Sequence, residues 1–500
     1  MASRVLALDI GTSSVRAVLY GEDGRSLPQA TSRVPHQVRY LPDGGVEADP
    51  DALLHWVETA IDRCLTVSPG PVAGVGISCF WHSLMGLDAG LRPSTPLLLW
   101  ADTRSARDVH EFSRRVDPEA VRQRTGCRPH SSYLPGKLLW IRRAHPDWWE
   151  RTVHWISFGE YMTLRLNGEL VASLSMASAS GLWDQWAERW DPEVLDAIGL
   201  SAALLPPVAD LAELPLRQVP PERWPDLAGT RWLLVAGDGA CNNVGSGATT
   251  EAHLALMIGS SGAVRRLKTG GPWRLPPGAW QYRLDRRRGL SGGALSNGGN
   301  LRQWLLDVLR LPVGEVEGQL EGMPPAAHGL VFLPLLAGER STGWAQGSFG
   351  AVVGLREATT PLDLMRAGLE AVALRFAALV EEMGGGDTVI ASGGGVWNSA
   401  AWAQILADAI GRDLHLCAEA EPSSRGAALL ALEAVGLLED VCLVPPPLAG
   451  VVRADPGRHA RYREARARLE RLYQLLRDDP LIGFAAAEAA AHAVTHEEGF

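Results

Sequence analysis

Two turns in this sequence have the residue types needed to bind phosphate. Asp9 follows an apolar strand and precedes residues 11–13, Gly-Thr-Ser, whose backbone N–H groups and hydroxyls can donate to phosphate oxygens. A carboxylate at a strand end can also hold Mg²⁺ through water. A similar turn, Gly-Ser-Ser at residues 259–261, follows the apolar run 254–257, with Met257 in place of Asp9. Taken alone, either turn is more often a plain hairpin.

A third acidic position, Asp238, lies between Gly237 and Gly239 after an apolar stretch. Glycine neighbours leave the Asp238 carboxylate open to a ligand. An aspartate in an ordinary turn is the commoner explanation for an isolated Gly-Asp-Gly.

Glycine-rich loops and an aromatic pair supply further binding candidates. Residues 391–398, ASGGGVWN, lie between a predicted strand and a predicted helix, where three glycines let a nucleotide approach the backbone. Residues 292–300 form a second small-residue loop before a helix. Trp81 and His82 follow a strand and could stack on a sugar and bind its hydroxyls, although a buried, satisfied histidine is the default interpretation. The chain has neither a GxGxxG fingerprint nor a Walker A motif.

Strands and helices alternate around these residues, which predicts an α/β fold. Helices are expected from Asp49-Pro50, from Thr360-Pro361, and from near Asn398 to Gly411; strands are expected over 72–78, 232–236 and 388–391. Because the Gly/Ser turn recurs near the middle of the chain, we expect a duplicated domain whose paired hairpin tips face one ligand.

Composition excludes several classes of protein. The 500 residues are 46% hydrophobic and 21% charged, with a formal net charge of −10, which excludes wholesale disorder and argues against nucleic-acid binding. Six cysteines without a CxxC pair predict neither a zinc site nor disulfides. The N-terminus lacks the features of a signal peptide, and the longest uncharged stretch, 66–87, is broken by prolines and glycines. A cytoplasmic protein that does not bind a membrane is therefore predicted.

Ten segments in order resemble the FGGY family of carbohydrate kinases, within the actin/hexokinase superfamily. The resemblance covers residues 4–440, and the segments are DIGTSSVR at 9–16, WHS at 81–83, WADTR at 100–104, GCRPHSSYLPGKLLW at 126–140, SMASASGLWD at 175–184, GDG at 237–239, IGSSGAVR at 258–265, GGALSNGGNLRQW at 292–304, GER at 338–340 and ASGGGVWNS at 391–399.

The resemblance implies two ribonuclease-H-like domains with ATP and Mg²⁺ bound in the cleft between them. The expected limits are 1–245 for the sugar-binding domain, 246–450 for the nucleotide-binding domain, and 451–500 for a C-terminal helix and tail. Asp238 would be the catalytic base and Asp9 the metal site. The resemblance implies that the nucleotide is bound by Gly11, Thr12, Ser13, Arg16, Gly259, Ser260, Gly299, Gln303, Gly394 and Asn398.

The expected reaction is ATP-dependent phosphorylation of a primary hydroxyl on a sugar or sugar acid. The segments look most like the gluconate kinases of the family; a xylulose kinase or another sugar or polyol kinase is the alternative, and an inactive sugar-binding homologue is a distant one. Ser173 occupies a position where relatives often have aspartate, and Glu160 lies near another frequent aspartate; both departures weaken the substrate assignment.

Sugar contacts are expected from Trp81, His82, Arg104, Lys137 and Asp238. Gluconate is a carboxylate that needs a cationic partner in a desolvated cleft, and Lys137, Arg104 and His82 are the candidates. An ordinary ion pair is an equally good interpretation of Lys137 and Arg104. The expected partner is the small-molecule substrate, with a homodimer as one option for assembly.

Overall fold

Two β-sheets, one from each half of the chain, organise this computed structural model. It describes residues 3–220, 222–271, 273, 275–345, 347–384, 388–479 and 483–484. The six strands of the N-terminal sheet are β1 (Arg4–Ile10), β2 (Ser14–Gly21), β3 (Ser26–Pro35), β4 (Gly74–Cys79), β5 (Arg231–Trp232) and β6 (Ala236–Gly237). The seven of the C-terminal sheet are β7 (His253–Ile258), β8 (Gly262–Thr269), β9 (Trp280–Arg283), β10 (Arg288–Leu295), β11 (Thr388–Ser392), β12 (Leu414–Cys417) and β13 (Leu448–Val452).

The two sheets share one strand order, which confirms the predicted duplication at the level of topology. The N-terminal order β3–β2–β1–β4–β5 corresponds to β10–β8–β7–β11–β12. In each half the first strand pairs antiparallel with its hairpin partner and parallel with a strand from further along the chain. The two Gly/Ser turns therefore occupy equivalent hairpin tips.

Helices connect and cover the strands. They are α1 (Pro50–Val67), α2 (Ala106–Arg115), α3 (Pro118–Thr125), α4 (Leu134–Ala144), α5 (Pro146–Arg151), α6 (Phe158–Asn167), α7 (Leu174–Ser178), α8 (Pro192–Ile198), α9 (Asp238–Ser246), α10 (Gly299–Leu309), α11 (Val313–Glu321), α12 (Pro361–Glu382), α13 (Gly394–Trp397), α14 (Ala400–Ile410), α15 (Pro422–Ala434) and α16 (Pro456–Asp478). Within the described ranges, no helix is both long enough and apolar enough to span a membrane.

Shorter strands form ribbons outside the two main sheets. They are Arg39–Tyr40, Val46–Ala48, Met85–Leu87, Leu97–Leu98, His154–Ile156, Ala172–Ser173, Trp183–Asp184, Arg189–Trp190, Val208–Ala209, Val331–Leu333 and Ala351–Val353.

The helix starts read from the sequence are confirmed. Asp49 caps α1 by accepting hydrogen bonds from two backbone N–H groups, and Thr360 caps α12 in a reciprocal capping box. The third predicted helix is α14, which ends at Gly411 as expected, but it begins after Ser399 because α13 precedes it as a separate turn.

The strand predicted over 232–236 is interrupted. Both β5 and β6 pair parallel with β4, Trp232 opposite Val75 and Ala236 opposite Ser78. Four residue steps on one strand therefore match three on the other, and the extra residue breaks the ladder as a bulge does. The break lies immediately before Asp238 and changes the direction of the chain there.

Two helices cross where the halves of the chain meet. A Cβ atom on Gly245 of α9 would lie 1.7 Å from the Pro422 carbonyl oxygen, and one on Gly426 of α15 would lie 1.9 Å from that of Cys241. Only glycine allows this close approach. Through this contact α15, which follows the C-terminal sheet in sequence, packs with the core of β1 and β4.

The C-terminal helix expected within 451–500 is α16, and one side of it is buried. Tyr462, Leu469 and Tyr473 are buried against the core that contains α12 and α14. The three domain limits stay a prediction, and the tail expected after this helix lies, apart from residues 483–484, outside the described ranges.

Candidate active site

Asp238 is the first residue of α9 and comes directly after the interrupted strand. Its Oδ1 accepts a hydrogen bond of 2.7 Å from the Gly239 N–H. Burial raises the pKa of Asp238 to about 6, against the smaller opposing effects of the Arg265 charge and the Gly239 hydrogen bond. A carboxylate with this pKa is mostly ionised at neutral pH and is a strong enough base to accept a hydroxyl proton.

The glycines beside Asp238 make room for Trp81. A Cβ atom on Gly237 would lie 1.8 Å from the indole Cε2, and one on Gly239 would lie 2.5 Å from Cζ3. The Trp81 indole is buried and donates from Nε1 to the Ser175 carbonyl oxygen at 3.1 Å. Trp81 therefore supports the Asp238 segment, a role that the sequence argument did not include, and its sugar contact remains a prediction.

Asp9 lies in the centre of the N-terminal sheet, between two polar neighbours on adjacent strands. Strand register places it opposite Arg16 on β2 and Ser78 on β4. Ser78 donates to Oδ1 at 2.9 Å, and Arg16 donates to Oδ2 at 3.3 Å. Burial raises the pKa of Asp9, and the Asp9 charge contributes to raising the pKa of Asp238.

The first hairpin tip continues from Asp9. Gly11 donates to the Ser14 carbonyl oxygen at 3.0 Å, while Thr12 is half-buried and Ser13 is exposed. Arg16 reaches from this hairpin to the other half of the protein, where its Nε lies 3.0 Å from an oxygen of Glu421 at the start of α15.

Six of the predicted nucleotide residues line one open cavity of about 690 Å³. They come from three places: the second hairpin tip, the start of α10 and the start of α13. The six are Gly259, Ser260, Gly299, Gln303, Gly394 and Asn398. The remaining four, Gly11, Thr12, Ser13 and Arg16, belong to the first hairpin and are not among the residues that line this cavity.

Backbone hydrogen bonds join the walls of this cavity. Gly299 donates to the Gly259 carbonyl oxygen at 2.8 Å, and Asn300 donates to that of Ser260 at 3.0 Å. Trp304 also lines the cavity and is 43% exposed. Large aromatics are rarely left so open, and an exposed indole beside a cavity is suited to stacking, a role the sequence analysis did not assign.

His82 and two tyrosines form an aromatic cluster with Trp81. His82 donates from Nδ1 to the Ala179 carbonyl oxygen at 2.8 Å, and burial lowers its pKa to about 3, so the ring is neutral at physiological pH. Its ring meets the edges of Tyr133 and Tyr282, whose hydroxyls are hydrogen-bonded at 2.6 Å. Tyr282 belongs to β9, so this pair connects the two halves of the chain.

The structure places the other two predicted sugar contacts in local networks. Lys137 is 1% exposed and donates to the carbonyl oxygens of Ser131 and Ser132 at 2.8 and 2.6 Å. Burial lowers the pKa of Lys137 to about 7. Arg104 pairs with Asp102 and Glu47 at 2.6 and 2.8 Å. The ion-pair interpretation therefore describes Arg104, whereas Lys137 holds a backbone turn.

The sequence analysis did not name two arginines near Asp238 as site residues. Arg265, on β8, is 7% exposed; its Nη1 lies 3.4 Å from the Asn242 amide oxygen, and its Nε has no partner. Arg340 lies in the loop after Val331–Leu333, and its charge influences both Asp238 and His82. Both occur in quoted motifs, but only the fold brings them to Asp238.

Residues 4–214 match the N-terminal domain of the FGGY family of carbohydrate kinases, and residues 257–435 match its C-terminal domain. The chain belongs to this family. Together the two matches cover more than three quarters of the 500 residues. The FGGY assignment made from the sequence motifs is thus confirmed, as is an α/β fold of two actin/hexokinase-like domains.

Named FGGY relatives include kinases of two different sugars. The gluconokinase of Bacillus subtilis (strain 168) is 28% identical over 481 residues, covering 91% of this chain and 92% of that protein. The crystal structure of gluconate kinase from Lactobacillus acidophilus has a TM-score of 0.87 at 24% identity, covering 96% of this chain and 99% of that one. Ligand-bound xylulose kinase from the same organism has a TM-score of 0.88 at 24% identity, covering 95% and 99%. At these identities the structures establish the shared fold.

Sugar kinases of the FGGY family use ATP, generally with Mg²⁺. Among the described residues, no group of three or more histidine, cysteine or acidic side chains could hold a metal alone. Mg²⁺ is usually bound by one or two carboxylates together with substrate phosphates, so such a group is not needed. Asp9 is a buried carboxylate whose charge contributes to raising the pKa of the half-buried Asp238, and a cation near them would offset that effect. The residues present fit the metal.

Proposed function

We propose that this protein transfers the γ-phosphoryl group of ATP to the primary hydroxyl of D-gluconate, giving 6-phosphogluconate. The observation that carries the choice of a sugar acid is the similarity to gluconokinases, of which that of Bacillus subtilis (strain 168) is 28% identical over 91% of this chain. In the described part of the chain, neither Arg265 nor Arg340 has a carboxylate oxygen within 4.0 Å. Guanidinium groups without a carboxylate partner in the region of Asp238 are compatible with an anionic substrate.

In the proposed mechanism Asp238 orients the acceptor hydroxyl and takes its proton. The hydroxyl oxygen forms a bond to the γ-phosphorus while the bond from phosphorus to the bridging oxygen breaks, and ADP leaves. Asp238 ends the step protonated and returns its proton to solvent. Arg265, beside Asp238, offsets negative charge at the reacting end of the cleft.

The two hairpins would hold the nucleotide from both halves of the chain. Gly259 and Ser260 lie in the open cavity with the starts of α10 and α13, which supports binding of the nucleotide there. We assign Asp9 to Mg²⁺, which when bound neutralises charge on the phosphates. The tips at residues 11–13 and 259–261 supply backbone N–H donors.

Formation of ADP with and without sugars tests this function. We expect gluconate to stimulate ADP formation strongly, and Asp238→Asn to abolish the stimulation. Stimulation by a neutral ketose or polyol instead would contradict the choice of gluconate and leave the kinase activity standing. ADP formation that no sugar affects would contradict the proposed sugar kinase activity altogether.

A further inference from the structure

The start of α14 forms one wall of the open cavity in which we propose that the nucleotide binds. Ser399, the N-cap residue of α14, and Asn398 immediately before it both line this cavity. Ser399 is buried, and its Oγ accepts a hydrogen bond of 3.1 Å from the Trp402 N–H. A serine hydroxyl also has one hydrogen to donate, so it needs an acceptor close by.

Glu317, on α11, supplies this acceptor. The Ser399 Oγ lies 2.8 and 3.0 Å from the two carboxylate oxygens of Glu317, and the Ala401 N–H donates to Oε1 at 2.9 Å. The first N–H groups of a helix have no acceptor within the helix, and a negative charge beside them is stabilising. Glu317 therefore caps α14 from a different part of the chain.

The same carboxylate faces a second wall of the cavity. Arg302, in the first turn of α10, lines the cavity, and its Nη2 lies 3.9 Å from Glu317 Oε2. Among the residues that the structure describes, no other carboxylate oxygen lies within 4.0 Å of Arg302. Glu317 is not itself among the residues that line the cavity, but it interacts with α10 and with α14, which are.

The helix that carries Glu317 is anchored to the core of the C-terminal half. Val316 and Leu320 of α11 are buried in the hydrophobic core that includes α12. Arg366 of α12 donates from Nη1 to the Leu320 carbonyl oxygen at 2.7 Å. Because α11 is fixed in this way, Glu317 holds Ser399 and Arg302 in place before a ligand arrives. Such pre-organisation reduces the entropy lost on binding.

We propose that Glu317 is a positioning residue for the nucleotide, which holds the starts of α10 and α14 at the separation that ATP and ADP require. This inference rests on the proposed function, because it takes the open cavity as the nucleotide site. Glu317 lies outside the ten segments that resemble the FGGY family. A carboxylate that only capped a helix would stabilise the fold, but it would not act on nucleotide affinity in particular.

Calorimetric titration with ADP and Mg²⁺ tests this role without requiring turnover. Glu317→Ala should weaken ADP binding about tenfold, because it removes a charged acceptor that orders the cavity wall. In steady-state kinetics, KM for ATP should rise by about the same factor. The value of kcat and KM for gluconate should change less than about threefold, because a contact that is equal in the ground state and the transition state affects only KM for its own ligand.

Two further variants separate geometry from charge. Glu317→Gln keeps one carbonyl oxygen for the Ser399 and Ala401 donors and loses the attraction for Arg302, so it should recover part of the ADP affinity. Glu321→Ala removes an exposed carboxylate from the same helix and is the control for net charge. Its ADP affinity should equal that of the wild type.

Wild-type ADP affinity in Glu317→Ala, or equal losses for ADP and gluconate, would overturn the assignment of Glu317. A wild-type protein that binds no ADP would instead contradict the proposed function. If the wild type binds ADP but does not phosphorylate gluconate, the choice of sugar fails, and the ADP titrations still decide the role of Glu317. If Glu317→Ala does not fold, Glu317→Gln decides: weaker ADP binding supports the role, and wild-type affinity overturns it.

Discussion

Asp238 is a half-buried carboxylate at the start of a helix, and the charge of Arg265 acts on it. Asp238→Asn keeps the size and the position of the side chain but cannot accept a proton. We expect turnover to fall by about 10²–10⁴-fold, the usual contribution of a general base, with ATP and sugar still bound. Steady-state kinetics and calorimetry measure the two effects separately. Turnover close to that of the wild type would remove Asp238 from the mechanism.

The pKa of Asp238 sets the acid side of the pH profile. Because its pKa is raised to about 6, protonation should reduce kcat/KM as the pH falls below that value. The Arg265 charge lowers this pKa, so Arg265→Met should move the acid limb to higher pH, and Arg265→Lys should move it back. Profiles of the three proteins from pH 5 to 8 (about the range in which this group titrates) provide the measurement. An acid limb at the same pH in Arg265→Met as in the wild type would show that Arg265 does not influence the pKa of Asp238.

At the scale of elements, Lys137 joins α4 to the turn that precedes it. Its two hydrogen bonds to Ser131 and Ser132 hold the segment that carries Tyr133 into the cleft. We expect Lys137→Met to loosen this turn and raise KM for the sugar by about tenfold, with a smaller change in kcat, since a charged hydrogen bond contributes about 1.5–3 kcal/mol. Lys268→Met, at the only other lysine, is the matched control. An effect on kcat alone would contradict this role.

Local sequence signals predicted the elements that depend on neighbours in the chain. Asp49-Pro50 and Thr360-Pro361 place their own helix caps, and the Gly/Ser turns form hairpins without help from distant residues. The break between β5 and β6 was not predictable, because it depends on the register with β4, which lies more than 150 residues earlier. From its apolar composition alone, the segment 232–236 is predicted to be one continuous strand.

The same distinction separates the two ends of the site. The nucleotide cavity is lined by glycine-rich helix starts whose spacing is visible in the sequence, and six predicted residues line it. At the proposed sugar end, Tyr133 contacts Tyr282, and the charge of Arg340, in a loop about 100 residues further along than Asp238, influences Asp238. No local pattern reports such contacts. The sequence around Arg104 and Lys137 also does not show that Arg104 pairs with a carboxylate or that Lys137 donates to backbone carbonyl oxygens.

At the scale of the whole molecule, each hairpin reaches the other half through an arginine. Arg16 pairs with Glu421 at the start of α15, and Arg265 approaches Asn242 of α9. The crossing of α9 and α15 at Gly245 and Gly426 is the close contact about which the halves could rotate. We therefore expect the cleft to narrow when a non-hydrolysable ATP analogue and gluconate bind together.

Small-angle X-ray scattering measures this closure directly. The radius of gyration should decrease with both ligands present and should change less with either one alone, because only the pair connects both walls of the cleft. The Asp238→Asn variant allows the same measurement with ATP itself. Identical scattering with and without the two ligands would contradict closure.

Competition between substrates tests the central claim most directly. D-Gluconate, D-xylulose, D-ribulose and glycerol are mixed at equal concentration with limiting ATP and Mg²⁺, and the phosphorylated products are quantified by mass spectrometry. The product ratio equals the ratio of kcat/KM values. We predict that 6-phosphogluconate exceeds each neutral product by at least about 100-fold, since a site built for a carboxylate rejects ligands that leave its donors unpaired. A neutral sugar phosphate as the main product would contradict the account.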